Sequence, residues 1–164
     1  MPFKLIRPKP INKAAIINRL RKVMVNESNA VYTDYQQTIK TWVKVKPKFV
    51  IRIKDTFGSI EFFVGTDNQV YYMLDITGAV AHPIVARRAK ALRYPGDFTP
   101  KTKVGVIGSQ PGGRTGDVVV RISVQHPGFD ARKFSEAIAS KSQKRLLQEA
   151  EKAMKDIVGI SGHR

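Results

Sequence analysis

The sequence predicts an α+β domain: a long N-terminal helix and a C-terminal helix packed on a mainly antiparallel sheet with one long Gly/Pro-rich loop. Apolar residues recur every third or fourth position before residue 44, every second position in most of 49–126, and every third or fourth again after 131. The length of 164 residues and the apolar content of 42% predict a single domain with one hydrophobic core. The expected parts of this single domain are an arm (1–10), a long helix (11–44), a sheet (49–126) with a loop (95–116), a C-terminal helical region (131–158) and a tail (159–164).

The N-terminal helix is predicted from one apolar stripe that runs from Ile11 to about Trp42. Its members are Ile16, Leu20, Val23, Val31, Tyr35, Ile39 and Trp42. Glu27 occupies the missing step, and residues 26–29 could bend the helix. Two prolines, Pro8 and Pro10, predict an extended arm before it.

Alternating apolar residues predict the strands. The first two, 49–54 and 60–64, are joined by a hairpin loop at 55–59, and 69–76 and 89–94 are expected to follow as a third and a weaker fourth strand. In 118–125 the alternation predicts one half-buried strand, with Val118, Val120, Ile122 and Val124 on a shared face.

The sharpest corner is expected at His126-Pro127-Gly128, because proline cannot continue a ladder and glycine permits a tight turn. Asp130 is placed to cap the next helix, whose buried face begins with Ala131 and Phe134. Arg132 and Lys133 should point outward, and Phe134 should anchor the helix to the sheet. The polar residues 140–143 predict a break between two helical stretches, 131–139 and 144–158.

Composition narrows the classes of function. Without cysteine the chain has no disulfide and no thiolate metal site, and no apolar run reaches the ~18 residues of a membrane span or forms a signal peptide. The net charge is +16, and residues 1–54 hold 13 basic and 2 acidic side chains, a net of +11. This asymmetry predicts an acidic partner, faced by Lys13, Arg19, Arg21 and Lys22 on the first helix.

No residue pattern indicates catalysis, a metal or a cofactor. The three histidines, His82, His126 and His163, lack metal-ligand spacing. Residues 108–115 nearly spell a phosphate-binding loop, but Arg114 replaces the lysine and a strand follows instead of a helix. The sequence therefore predicts a non-enzyme.

The segment 95–116 contains six glycines and three prolines. Irregular loops of this length are usually functional or disordered. We expect it to be mobile in a monomer and to become ordered against a neighbouring subunit, with 103–107 adding a strand to that subunit's sheet. The expected contact residues are Lys101, Lys103, Val104, Val106 and Ile107.

Two blocks resemble one family. The first has the pattern V-x-H-P-G-x-x-A-R-x-F and comprises Val124, His126, Pro127, Gly128, Ala131, Arg132 and Phe134. The second comprises Gly78, His82, Ile84, Arg88, Ala89, Lys90, Ala91, Leu92 and Tyr94. Together, and in this order, they resemble the tail-completion or neck (head–tail joining) proteins of tailed double-stranded DNA bacteriophages.

The resemblance implies a structural virion protein that forms a ring, a hexamer rather than a dodecamer, at the head–tail junction or the head-proximal end of the tail. Its implied neighbours are connector, tail terminator or tail tube proteins and the genomic DNA in the lumen, with no membrane. It would reside in the host cytoplasm during assembly and in the virion afterwards. The alternative is a basic nucleic-acid-binding protein that uses the N-terminal third of the chain.

Overall fold

The computed structural model describes residues 12–43, 46–56 and 58–160 and confirms the α+β class, with an N-terminal helix, a C-terminal helix and antiparallel β-structure. The predicted arm and residues 161–164 lie outside the described residues. In chain order the elements are α1 (Lys13–Thr38), β1 (Val50–Thr56), β2 (Ser59–Gly65), α2 (Gln69–Tyr72), a π-helical turn (Met73–Thr77), β3 (His82–Val85), β4 (Leu92–Thr99), β5 (Gly113–Arg121), β6 (Ser123–His126) and α3 (Phe134–Ile160).

The β-structure consists of three two-stranded antiparallel ribbons, β1–β2, β3–β6 and β4–β5, instead of the single sheet that was expected. The predicted strand at 118–125 is divided at Ile122, which lies between β5 and β6. Its two parts pair with different strands, β5 with β4 and β6 with β3. The first hairpin agrees with the prediction, although its strands extend further, to the pair Thr56 and Ser59.

The predicted third strand is wrong, because residues 69–77 are helical. The side chain of Asn68 caps this segment by accepting a hydrogen bond from the Tyr71 N–H at 2.9 Å. Tyr71 and Asp75 are both buried, and a spacing of four residues places them on one side of a helix. Their burial therefore outweighs the strand preference of the Val-Tyr-Tyr run.

Both long helices differ from their predicted bounds. Asn12 caps α1, which ends at Thr38, before the expected limit near 42–44. Helix α3 begins at Phe134 and continues unbroken to Ile160, so the predicted break at 140–143 is wrong. Ser142 is buried, as is Ile138 four residues earlier. The polar patch thus contributes to the packed face of one helix.

The core lies where α1, α2, α3, strand β2 and the residue before β1 meet. It contains Val31, Tyr35, Ile39, Phe49, Tyr71, Phe134 and Ile138. Tyr35 stacks on Phe49 with ring centroids 4.6 Å apart, and Tyr71 meets Phe49 edge-on at 5.2 Å. Phe134 is fully buried, and its ring lies 5.8 Å from that of Tyr71 in helix α2, whereas the predicted anchor was to the sheet.

Four charged residues join α1 to α3. Arg145 binds Glu27 at 2.7 Å and Asp34 at 2.8 Å, and Lys141 binds Asp34 at 2.8 Å. The side chains of Glu27 and Asp34 are each 6% exposed. Burial acts to raise the pKa of Asp34, but the hydrogen bonds and charges of Lys141 and Arg145 outweigh it and hold the pKa below its usual value. Glu27, the apparent gap in the apolar stripe, is thus a buried partner of α3.

Candidate assembly surfaces

The two blocks that carry the family resemblance meet in the structure. Strands β3 and β6 pair in antiparallel register, with His82 opposite His126. The two imidazole rings stack with centroids 4.9 Å apart and planes 19° from parallel. His126 Nδ1 accepts a hydrogen bond from the Gly128 N–H at 3.0 Å, and His82 Nδ1 lies 2.9 Å from the Val80 carbonyl oxygen. The two His-Pro dipeptides therefore form one cross-strand unit.

The same two segments stay paired beyond the strands. Ala79 and Phe129 exchange both backbone hydrogen bonds, at 2.9 and 2.8 Å. Gly78 and Gly128 flank this bridge with φ of 67° and 81°. A Cβ on either glycine would collide with the opposing backbone, so both positions require glycine for conformation and for space.

A third set of bonds directs the chain into α3. The Arg132 N–H donates to the Leu74 carbonyl at 2.8 Å and the Lys133 N–H to the Asp75 carbonyl at 2.9 Å. The Asp75 carboxylate accepts from the Ser135 N–H at 3.1 Å, which satisfies a free amide at the start of the helix. Asp75 thus makes the capping bond predicted for Asp130, which is exposed, because α3 begins four residues after Asp130.

A buried polar chain links this corner to the core. The Tyr35 hydroxyl donates to Ser135 Oγ at 3.1 Å, and the Ser135 hydroxyl donates to the Asp75 carboxylate. Burial is the main cause that raises the pKa of Tyr35, and the nearby Asp75 charge adds to it. Because Tyr35 and Asp75 are buried, this chain fixes the direction of α3.

The predicted motif residues divide into two groups. His82, His126, Pro127, Gly128 and Phe134 belong to the paired corner or to the helix that it starts. Arg132 is half-buried there, with its guanidinium carbon 6.0 Å from the Phe129 ring centroid. Arg88 and Lys90 lie apart from the corner, exposed in the bend between β3 and β4.

The long loop is shorter and better anchored than expected. Its ends belong to β4 and β5, so residues 100–112 form its irregular part, and 103–107 form no strand. Lys101 Nζ donates to the Thr41 carbonyl at 2.8 Å and the Gly105 N–H to the Arg132 carbonyl at 2.7 Å. Ile107 packs against the core, while Val104 and Val106 remain about half exposed.

This loop and α3 border an open groove of about 580 Å³. Its lining includes Val106, Ile107, Lys141, Lys144 and Arg145. Lys141 and Arg145 already bind Asp34 and Glu27. The groove therefore offers little uncompensated charge to an anionic ligand. In the part of the chain that the structure describes, no group of three or more histidine and acidic side chains is placed to hold a metal ion.

The predicted basic face on α1 is partly neutralised within the chain. Arg19 binds Asp156 at 3.1 Å, and Arg21 binds Asp55 at 2.7 Å. Lys13 and Lys22 are exposed and have no ion-pair partner among residues 12–43, 46–56 and 58–160. The face thus presents two uncompensated cations instead of the four that the sequence indicated.

The β4–β5 ribbon exposes several large apolar side chains. Val118 and Val120 are 65% and 54% exposed, and Phe98 further along the ribbon is 66% exposed. The face predicted to be half-buried is therefore open, and Val119 on the other side is the half-buried residue.

No family model, no curated protein and no solved structure matches this chain. The resemblance of its two blocks to the phage neck and tail-completion family thus stays a prediction. Among the described helices, none combines the length and apolar character needed to cross a membrane.

Proposed function

We propose that this chain is a structural subunit of a ring in the neck or at the head-proximal end of the tail of a tailed double-stranded DNA bacteriophage. The virion context rests on the two sequence blocks, now seen to pair with each other through His82 and His126. The ring rests on an independent feature, the uncovered β4–β5 ribbon. In this role the chain is not an enzyme, and it binds copies of itself and the adjoining connector or tail proteins.

The observation that carries the proposal is the exposure of Val118 and Val120, which share one face of the two-stranded β4–β5 ribbon. An isolated two-stranded ribbon is marginally stable in water, and contiguous exposed apolar residues mark interaction sites. A neighbouring subunit that covers this face would bury the valines and support the ribbon. Repetition of one such head-to-tail contact closes a ring when the rotation per subunit fits.

The corner of paired His-Pro segments supports the same role. Its backbone bonds fix the start of α3 relative to β3 and β6, and its two glycines leave no room for side chains. A fixed angle between helix and strands makes the orientation of successive subunits reproducible. We therefore propose that the corner sets the shape of the subunit and that the β4–β5 ribbon makes the contact with the neighbouring subunit.

Mass photometry across a range of concentrations tests the ring. The unmodified chain should form one closed oligomer, and we expect six copies. The pair Val118→Glu and Val120→Glu should remain monomeric with an unchanged melting temperature, because both side chains are already exposed in the monomer. A matched control places the same change on the other hairpin, at the exposed residues Val50 and Phe63, and should still close rings.

A chain that stays monomeric at every concentration, both alone and with purified phage tails, would contradict the ring. If the control pair abolishes rings as completely as the β4–β5 pair, the contact is assigned to the wrong surface.

A second experiment tests the role in the virion. Adding the chain to tails assembled without it should restore their joining to DNA-filled heads, scored by infectious particles. The β4–β5 variant should fail in this assay.

A further inference from the structure

We infer that the bend between β3 and β4 is a binding surface for the phosphate backbone of double-stranded DNA. The surface, here called the cationic bend, consists of Arg87, Arg88 and Lys90 in the bend itself and of Arg93, the second residue of β4, which pairs with Val120. All four side chains are exposed, and none has an ion-pair partner among the described residues. This inference deepens the proposed function by assigning the contact with the genome, and it rests on that function for its setting in a lumen.

The charge of the bend is uncompensated, in contrast to that of α1. No acidic residue occurs between Asp75 and Asp97, so the four cations have no opposite charge nearby in sequence. The β5 and β6 segment beside the bend has none between Asp117 and Asp130 and adds the exposed Arg121. A local field of one sign attracts a polyanion and raises its rate of association.

The structure holds both ends of the bend at the same place. The Ala86 N–H donates to the Ile122 carbonyl at 3.1 Å just before the bend. Just after it, Leu92 pairs with Arg121 at the start of the β4–β5 ribbon. Residues 87–91 are thereby confined between two fixed points one residue apart on the neighbouring chain segment. Such anchoring reduces the entropy lost when the cations engage a ligand.

The surroundings of the cations favour phosphate over an acidic protein surface. Three of the four cations are arginines, whose planar forks bind the oxygens of phosphates and of carboxylates in pairs, so the residue types alone do not decide. The uncharged residues of the bend, Ala89 and Ala91, are small. Protein interfaces depend on anchors that are buried in packed pockets, whereas the four cations are all exposed and residues 87–91 contain no aromatic or large aliphatic side chain, although Val85 and Ile122 beside them are exposed. The uniform charge of a DNA backbone can satisfy all four cations without a matching pocket.

Fluorescence anisotropy with a labelled duplex of arbitrary sequence, at several salt concentrations, tests this surface. Replacing Arg87, Arg88, Lys90 and Arg93 by Gln should weaken binding at about 100 mM salt by roughly a hundredfold or more. It should also reduce the slope of log K against log salt by about 3 to 4 units, because each lost phosphate contact removes ~0.9. Circular dichroism should show unchanged folding, since exposed charges contribute little to stability.

The matched control replaces Lys13, Arg19, Arg21 and Lys22 by Gln, which removes the same charge from α1. Its slope should change by less than about 1.8 units, because two of these cations are already paired and each of the other two could contribute at most ~0.9. If both variants lose the same amount of DNA affinity, binding depends on the net charge of the chain, and the assignment to the cationic bend is overturned. Poly-glutamate that binds as tightly as DNA, and loses binding in the bend variant, would overturn it in favour of an acidic protein.

Mass photometry of the same samples separates this inference from the ring. An unmodified chain that closes rings but does not bind duplex DNA overturns the inference and leaves the ring standing. An unmodified chain that binds DNA through the bend but never closes a ring overturns the proposed function and supports the inference. A bend variant that closes rings of normal size yet packages no stable DNA at the neck supports both.

Discussion

The packed region between α1 and α3 and the β4–β5 ribbon use similar apolar residues in opposite ways. Phe134, Tyr35 and Ile138 are buried by partners in the same chain. On the ribbon, Val118 and Val120 alternate as regularly as in any core strand, yet more than half of each side chain is exposed. Alternation therefore identifies residues that share a face, and a partner decides whether that face is covered.

The difference has a physical cause. The helices are held by an aromatic cluster and by the ion pairs of Arg145, which supply both burial and orientation. The ribbon has its own ladder, and two strands expose both faces unless another element packs on them. The packed helices therefore account for the stability of the chain, and the ribbon face is the part that the proposed contact with a neighbouring subunit would cover.

The strongest test applies one substitution to both regions. Phe134→Ala should lower the free energy of unfolding by about 3–5 kcal/mol, because it empties a fully buried site beside Tyr71. Phe98→Ala should change it by less than about 0.5 kcal/mol, because that ring is largely exposed. Urea unfolding under monomeric conditions measures both values. Similar losses for the two variants would show that the ribbon is as packed as the core.

The next test compares two arginines. Arg145→Ala should lower the free energy of unfolding by about 2–4 kcal/mol, because it leaves the buried Glu27 without its partner and Asp34 with only Lys141. Arg19→Ala removes an exposed pair with Asp156 and should cost less than about 1 kcal/mol. Thermal unfolding followed by circular dichroism provides the measurement. If Arg19 proves the more important, the ion pairs near the helix termini hold α1 and α3 together.

The sequence was sufficient for the elements whose period and partners are local. The stripes of three- and four-residue spacing predicted a helix at each end of the chain, although they placed the end of α1 too late and a break in α3 that does not exist. Alternation predicted the first hairpin. The corner itself was recognisable from His126-Pro127-Gly128, since its proline and glycine act through their own backbone.

Features set by distant segments could not be read in this way. Tyr71 and Asp75 are helical because the core and the start of α3 require them, although their neighbours favour a strand. Glu27 interrupted an apolar stripe, and only Arg145, far along the chain, explains its burial. The cationic bend did not stand out in the sequence, because residues 55–130 as a whole carry 8 basic and 7 acidic side chains and are therefore almost neutral.

The irregular loop allows a finer comparison within one segment. Ile107→Ala should lower the free energy of unfolding by about 1–2 kcal/mol, because its side chain packs against the core. Val104→Ala should have an effect below about 0.5 kcal/mol in the monomer, since Val104 is about half exposed. Replacing residues 100–112 by a Gly-Ser linker should likewise destabilise the monomer. A loop that moved freely in the monomer could be replaced without this loss. Hydrogen exchange of residues 104–107 in monomer and ring checks this, and fast exchange in both would contradict the anchoring.

The smallest effect concerns two tyrosines inside the packed region. Burial, aided by the charge of Asp75, raises the pKa of Tyr71 above its ordinary value of 10.0, and burial raises that of Tyr35 as well. Their contribution to stability is therefore complete below about pH 10 and is lost as the pH rises further, because the unfolded chain ionises first.

Tyr71→Phe should leave the protein equally stable at pH 7 or stabilise it by up to about 1 kcal/mol. The reason is that the buried Tyr71 hydroxyl has no hydrogen bond of normal geometry to a described residue, because the nearby Ser135 hydroxyl, which lowers its pKa in part, is already bonded to Tyr35 and Asp75. Tyr35→Phe should instead cost about 1 kcal/mol, because it removes the bond to Ser135. Each substitution should make the loss of stability above pH 10 less steep, by about 1.4 kcal/mol per pH unit. Urea unfolding at pH 7 and pH 11 measures both effects, and a destabilised Tyr71→Phe variant at pH 7 would show that its hydroxyl has a partner after all.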